Sequence, residues 1–397
     1  MHIDTNNAFL SWTAVKMLEE GSKIDIRNTY AVIGGDESKR NGIVLAKSPL
    51  CKKINIKTGD TIYQSRLKCK DLKVYEPDFK YYAKKSNELF ELLKTYTPDI
   101  EVASIDECYI DYGKVKNMYG DEVSFAYKLK DEIYKKLGFT VNIGIANNKL
   151  CAKMASDFTK PNKVHTLYDY EVNIKMQPLP IEKLFGIGKK TVPKLKELGI
   201  NTIKDLADFN LLTLKKHFKN QAEVMINSAK GIGDNKINSD IWHPKGIGHE
   251  FTLAYDTNNI DVIEENLLLL SEMVAIRLRR ESKYAYVVSI IIKNKDFIRK
   301  SHQKKLDIAT NETDVIYKTS KDLYLKYFKD EKIRLIGIRL DNLTLEKVSQ
   351  ISLFQEEESH NEKLDHVLDN LKEKYGYNII SKASIYKNSN KKNRRGL

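Results

Sequence analysis

A chain of 397 residues with 41% apolar content exceeds what one hydrophobic core organises and predicts two to four domains. Lys and Arg outnumber Asp and Glu by 67 to 54, a net charge of +13 that favours a polyanionic partner, nucleic acid above all. The longest apolar runs fall short of a membrane span, no basic-then-apolar leader opens the sequence, and Cys51, Cys69, Cys108 and Cys151 form no CxxC pair. These features predict a cytoplasmic protein with reduced thiols and no membrane association, and they argue against a disulfide framework or a zinc site.

Taken in order, His2-Ile3-Asp4 reads as a short strand whose last residue faces outward at a turn. The spacing of Ala8, Phe9, Trp12, Val15 and Leu18 then predicts a helix closing at Gly21. Residues 29–34 and 42–47 read as strands and 49–54 as a helix. Tyr82, Leu89, Phe90, Leu92 and Leu93 mark an amphipathic helix that Thr97-Pro98 stops.

The next stretch, Ala103-Ser104-Ile105-Asp106-Glu107-Cys108-Tyr109-Ile110, sets two adjacent carboxylates between β-forming runs, which predicts a hairpin with an acidic tip. Alone, such a tip is compatible with a solvated turn or with ligation of a hard divalent cation, which prefers carboxylate oxygens. A helix through Val123, Leu129, Ile133 and Leu137 ends at Gly138, and residues 139–145 alternate as a strand. Strand–helix–hairpin–helix–strand is a ferredoxin-like order, able to bring Asp4 and Asp106 together on neighbouring strand ends.

A basic helix, Asn148 to Asp157, follows and is terminated by Lys160-Pro161. Residues 170–235 form a separate helical unit. In it, Gly186-Ile187-Gly188-Lys189-Lys190-Thr191 fits either an ordinary helical hairpin or a helix-hairpin-helix whose glycine turn lets the backbone approach a phosphate. After a polar linker comes a βαββαβ series: strands 248–255, 284–293, 297–305 and 332–341, with helices 261–281 and 313–328. Between Ile276 and Lys305 stand ten Lys or Arg and two acids. The strand 297–305 is expected to project Arg299, Lys300, His302 and Lys304 as a solvated or phosphate-tracking face. The tail carries Gln350-Ile351-Ser352-Leu353-Phe354, an acidic run, a charged helix 361–375 and a basic end.

Together these motifs resemble the Y family of DNA polymerases over about residues 1–354, in the family's order. The matching segments are His2-Ile3-Asp4-Thr5-Asn6-Asn7-Ala8-Phe9, Ser104-Ile105-Asp106-Glu107-Cys108-Tyr109, and Gly144 to Asp157 with Lys160-Pro161-Asn162. The resemblance implies an α+β multidomain fold: a ferredoxin-like palm (1–10 and 79–168), small fingers (11–78), a helix-hairpin-helix thumb (169–233), a linker (234–246), a βαββαβ little finger (247–348) and a tail (349–397). It implies a low-fidelity, translesion enzyme that adds dNTPs to primer-template DNA with two Mg²⁺ ions, acting as a monomer. Asp4, Asp106 and Glu107 become the catalytic carboxylates, with the Thr5 carbonyl a further metal ligand. Lys52 and Lys160 become triphosphate contacts, and Phe9 the ring that excludes a ribose 2′-hydroxyl. Gly186, Gly188, Lys189, Lys190, Arg299, Lys300 and Lys304 become DNA contacts, while Asp111 is expected to be structural. The sequence departs from the family pattern around Lys52, where many relatives carry Arg, and at Pro49, where they carry Tyr; Ser48 is the expected substitute contact. Gln350, Leu353 and Phe354 resemble a peptide that docks in the groove of a sliding clamp. Two other readings remain at this stage: a catalytically weak regulator that occupies DNA or the clamp, and a nucleotidyl cyclase on the same palm.

Overall fold

The computed structural model describes residues 1–37, 42–240, 244–346, 362–376 and 379–380. They divide into two compact units, one within residues 1–241 and one from 242 onwards. Gln350, Leu353 and Phe354 lie outside the described residues. Among those that are described, no helix is long and apolar enough to cross a membrane.

The first unit opens with β1 (His2–Thr5), buried along its whole length, and the helix Ala8–Glu19. Strands β2 (Ala31–Gly34), β3 (Val44–Lys47) and β4 (Lys73–Tyr75) then form a small sheet in the order β3-β2-β4. Its faces close over two modest cores, one around Leu10, Ile26 and Ile33, the other around Val44, Ile56 and Ile62. β4 and the helix Ile62–Lys68 are additions to the expected elements. Three residues are too few to show a period, whereas the helix is marked by the Thr61/Gln64 capping box.

The palm is organised on a sheet of order β5-β6-β1-β7-β8, built from β1 with β5 (Ile100–Val102), β6 (Glu107–Ile110), β7 (Val141–Ala146) and β8 (Val164–Leu167). Its first four strands are all antiparallel to their neighbours, in ferredoxin-like order, and β8 adds a parallel edge beside β7. The helix Phe79–Lys94 is started by the Asp78 side chain, and Glu122–Leu137 is ended by Gly138 in the left-handed region at φ 77°. Both helices turn apolar faces to the sheet, burying Tyr82, Leu89, Leu93, Leu129 and Ile133 against Ile3 and Ile143. Each such side chain contributes about 1.5–3 kcal/mol. On the same sheet the helix Lys149–Ser156 comes so near β7 that a Cβ on Gly144 would stand 1.9 Å from the Ala152 carbonyl oxygen.

Beyond β8, short helical turns lead into helices Thr191–Glu197, Ile203–Ala207, Leu211–Phe218 and Gln221–Ala229. They close on Leu195, Ile200, Ile203 and Leu214.

The second unit is a sheet of order β11-β10-β12-β9, made from β9 (Gly246–Thr257), β10 (Tyr284–Asn294), β11 (Arg299–Thr310) and β12 (Ile333–Thr344). Helices Ile260–Arg280 and Thr313–Tyr327 cover one face. The charged helix Glu362–Tyr375 docks on the same unit through the buried Arg279. That guanidinium donates to Asp369 at 2.6 and 2.8 Å, to Asp365 at 3.1 Å and to the Asn311 carbonyl at 2.7 Å. Lys372 adds a largely buried pair with Glu272 at 2.7 Å.

Candidate active site

Two strand ends and one loop converge at one end of the palm sheet, on its inner strands. Asp4 stands opposite Glu107 in the β1–β6 register, and the Thr5 amide donates to the Asp106 carbonyl at 3.0 Å. The four residues expected as metal ligands are therefore neighbours along the backbone of two paired strands. Asp4 is 5% exposed, while Asp106 and Glu107 are half-buried.

Between the carboxylates of Asp4 and Glu107 sits the ammonium of Lys153, 3.0 Å from Asp4 Oδ2 and 2.6 Å from Glu107 Oε1. Lys160 approaches from the following loop, 2.9 Å from Asp4 and 2.8 Å from Asp157. Burial pushes the Asp4 carboxyl upward against the opposing pull of Lys160 and Lys153. The Glu107 carboxyl is held well below the usual range by the Lys153 ammonium in contact with it. Burial pulls the Lys153 ammonium down, yet Asp4 and Glu107 overcome it and raise the group above an ordinary lysine. His2 itself is fully buried. Its Nδ1 meets Ser156 Oγ at 2.8 Å, and its Nε2 lies 3.7 Å from Glu107, outside hydrogen-bond reach.

Asp106 faces elsewhere, accepting from the Ser104 hydroxyl at 2.7 Å. Accordingly, among the described residues, no three acidic, His or Cys side chains converge into a metal cage. The site nevertheless fits hard divalent cations. Its donors are carboxylate oxygens, and the most buried of them already draws two ammonium groups, the mark of a place that demands positive charge.

The loop bearing Lys160 is fixed by Asn142 of β7, a residue that sequence reading missed. Its amide donates to the carbonyls of Ser156 (2.9 Å) and Thr159 (2.7 Å) and accepts from Asn6 (3.1 Å) and the Lys163 amide (3.2 Å). Asn6 in turn accepts from the Asn162 amide at 2.8 Å. Lys153 was also missed. Its signal was a lysine inside an otherwise apolar run, Cys151-Ala152-Lys153-Met154-Ala155.

Phe9 is half-buried, stacked on Tyr82 with centroids 4.7 Å apart and edge-on to Phe79 at 6.0 Å. Lys52 is exposed on the helix Pro49–Lys53. Ser48 requires a correction. It is fully buried, and its hydroxyl accepts from the Cys51 and Ala31 amides at 3.2 and 3.3 Å, so it caps that helix and has no route to a ligand. Asp111 closes a local turn by accepting from the Gly113 amide at 3.0 Å.

In the helical part, Gly186 (φ 90°), Gly188, Lys189 and Lys190 are exposed ahead of the helix Thr191–Glu197. In the second unit the expected basic strand splits by parity. Lys300 and Lys304 stand opposite Ile292 and Val288, on the helix-covered side of the sheet, as does His302, which stacks on Tyr327 at 3.8 Å. Arg299 lies opposite Lys293 on the other side, paired with Glu250 at 2.8 Å, and Lys300 is paired with Glu331 at 2.6 Å. One face therefore does not present all four residues, because side chains alternate along a strand.

Acidic residues at the ends of adjacent inner strands of a ferredoxin-like sheet, with lysines closing over them, form the palm of a phosphoryl-transfer enzyme. The sequence matches the impB/mucB/samB family over residues 3–157, the IMS family HHH motif over 171–200 and the impB/mucB/samB family C-terminal domain over 244–353. It is 42% identical over 392 residues to DNA polymerase IV of Clostridium acetobutylicum, covering 98% of each chain. To DNA polymerase IV 2 of Bacillus subtilis it is 31% identical over 375 residues, 92% of this chain and 91% of that one. Among solved structures, a Y-family DNA polymerase chimera of Dbh and Dpo4 segments aligns with a TM-score of 0.75 at 26% identity, over 87% of this chain and 99% of the other. The chain belongs to the Y family of DNA polymerases, with the bacterial DNA polymerases IV as its relatives.

Proposed function

We propose that this chain extends a primer 3′-hydroxyl with dNTPs on damaged and undamaged templates, with Asp4, Asp106, Glu107 and the Thr5 carbonyl holding two Mg²⁺ ions. The pairing of Asp4 with Glu107 across β1–β6, around a captured ammonium, carries this reading. When bound, the ions supply activation of the primer hydroxyl and neutralise charge on the reacting phosphate and the leaving pyrophosphate. Asp106 reaches them by turning from Ser104, a side-chain rotation at a half-buried position. Lys160 exchanges Asp4 and Asp157 for the triphosphate, and Lys52 supports it as a second point charge. The Phe9 ring, braced by Tyr82, is assigned the exclusion of a ribose 2′-hydroxyl.

Gly186, Gly188, Lys189 and Lys190 offer backbone amides and charge to duplex phosphates. Arg299 contributes to the grip from the open face of the second unit's sheet, after giving up Glu250. Gln350, Leu353 and Phe354 are assigned to a sliding clamp, and the enzyme to the cytoplasm as a monomer. We assign the palm to residues 1–10 and 79–168, the fingers to 11–78, the thumb to 169–233 and the little finger to 247–348.

Primer extension on intact and abasic templates, beside Asp106→Ala, tests the proposal. Failure of the wild type, or equal extension by the variant, defeats it. For the clamp, Phe354→Ala is expected to abolish clamp-stimulated processivity, and unchanged processivity removes that assignment.

A further inference from the structure

Lys153 has no role in the mechanism above, yet it is the best-placed cation in the palm. Its side chain is 9% exposed, and its ammonium has three carboxylates within 4 Å: Glu107 at 2.6 Å, Asp4 at 3.0 Å and Asp157 at 3.5 Å. A buried and a half-buried carboxylate facing each other across paired strands repel unless a positive charge lies between them. Lys153 provides that charge. A divalent cation on the same oxygens would place its own charge against the ammonium, so the two cannot hold Asp4 and Glu107 together.

We infer that Lys153 is the resident counter-ion of the acidic pair, and that cation loading is an exchange in which its ammonium moves from Asp4 and Glu107 to Asp157. The inference rests on the polymerase reading and adds an order of events to it. Asp157 is four residues further along the chain from Lys153, on the same side of the helix end, and is about half exposed. Rotation of the terminal side-chain bonds covers the difference, with no movement of the helix. Asp157 is at present engaged by Lys160 at 2.8 Å. When Lys160 turns to a triphosphate it releases Asp157, which can then receive Lys153, which in turn vacates Asp4 and Glu107. Nucleotide and metal binding are thereby coupled, and the coupling is reciprocal. The enzyme keeps its acidic site neutralised at rest and opens it to cations when a substrate arrives.

The test is Mn²⁺ binding to the full-length protein without DNA or nucleotide, followed by calorimetry and electron paramagnetic resonance, with Asp4→Asn identifying the signal of this site. Lys153→Met, which keeps length and removes charge, is expected to bind Mn²⁺ about tenfold more tightly than wild type. Asp157→Asn removes the receiving carboxylate and is expected to weaken binding about tenfold, but only when Lys153 is present. A scaffold role predicts the opposite sign for Lys153→Met, because losing a structural ion pair loosens the site. Unchanged or weaker binding by a folded Lys153→Met overturns the exchange. Should that variant not fold, the Lys153 ammonium resonance of the wild type decides: it shifts on saturation with Mg²⁺ if the group moves, and a stationary resonance overturns the inference. Absence of Mn²⁺ binding in both wild type and Lys153→Met also overturns it. Primer extension by the wild type then reports separately whether the polymerase reading stands.

Discussion

The Thr5 amide donates to the carbonyl of Asp106 at 3.0 Å, joining the end of the first strand to the acidic turn at the point where their side chains diverge. This link belongs to the backbone, so it survives replacement of the Asp106 side chain. Asp106→Ala is therefore expected to fold as wild type, with melting temperatures within a few degrees, while primer extension falls by roughly 10³-fold, as for loss of a group acting on transition-state charge. Steady-state kinetics beside thermal melts check this, and an active variant contradicts it.

Phe9→Ala carries two separable effects. Removing a half-buried ring stacked on Tyr82 is expected to cost about 2 kcal/mol of stability. The ratio of ribonucleotide to deoxynucleotide incorporation should rise at least about tenfold, the size of one steric discrimination. Unchanged sugar selectivity in a folded variant would remove Phe9 from the gate.

Gly144→Ala addresses the contact between β7 and the helix Lys149–Ser156. An added methyl would meet the Ala152 carbonyl at 1.9 Å and the Ser156 amide nitrogen at 2.6 Å. Both are backbone atoms and cannot rotate away, so a loss of about 3 kcal/mol or more is expected in denaturant unfolding. Activity should fall with it, because that helix carries Lys153.

In the second unit, Arg279→Met leaves Asp365 and Asp369 without their buried partner. Removing one side of such a cluster costs about 3–5 kcal/mol when the orphaned charges stay buried. Here they sit on a helix that can undock, which caps the cost at its docking energy. Hydrogen exchange across residues 362–375 should accelerate, with β10 and β12 still protected.

Thiol chemistry gives a simple check on burial. Burial pushes the Cys108 thiol up to about 12 and that of Cys151 up to about 11, and also raises Cys51. At pH 8 these groups lie below their pKa and remain protonated, and the thiolate is the reactive form. Native protein should show one fast thiol, Cys69, the partly exposed one, and four after denaturation. A second fast thiol would show that a core opens.

The acidic strand ends were legible because charge at the tip of a β-forming run breaks alternation visibly, as at Asp106 and Glu107. Helix ends followed from stop signals such as Thr97-Pro98 and the Gly138 cap. Three things were not legible. Lys153 is marked only by the apolar run around it, and its burial depends on the approach of a helix to Gly144. Ser48 carries the right chemistry for a ligand contact, and only its burial reveals that its hydroxyl is taken by the backbone. The basic strand was read by composition, whereas parity and register decide which of Arg299, Lys300 and Lys304 share a face.

Asn142 spends its whole amide, both hydrogens and its oxygen, on segments that are distant in sequence. The loop that carries Lys160 is thus specified by a residue it does not contain. Anyone transplanting that loop between relatives would move the lysine without its address, and the piece that can be exchanged intact is the knot of β1, β7, helix and loop together.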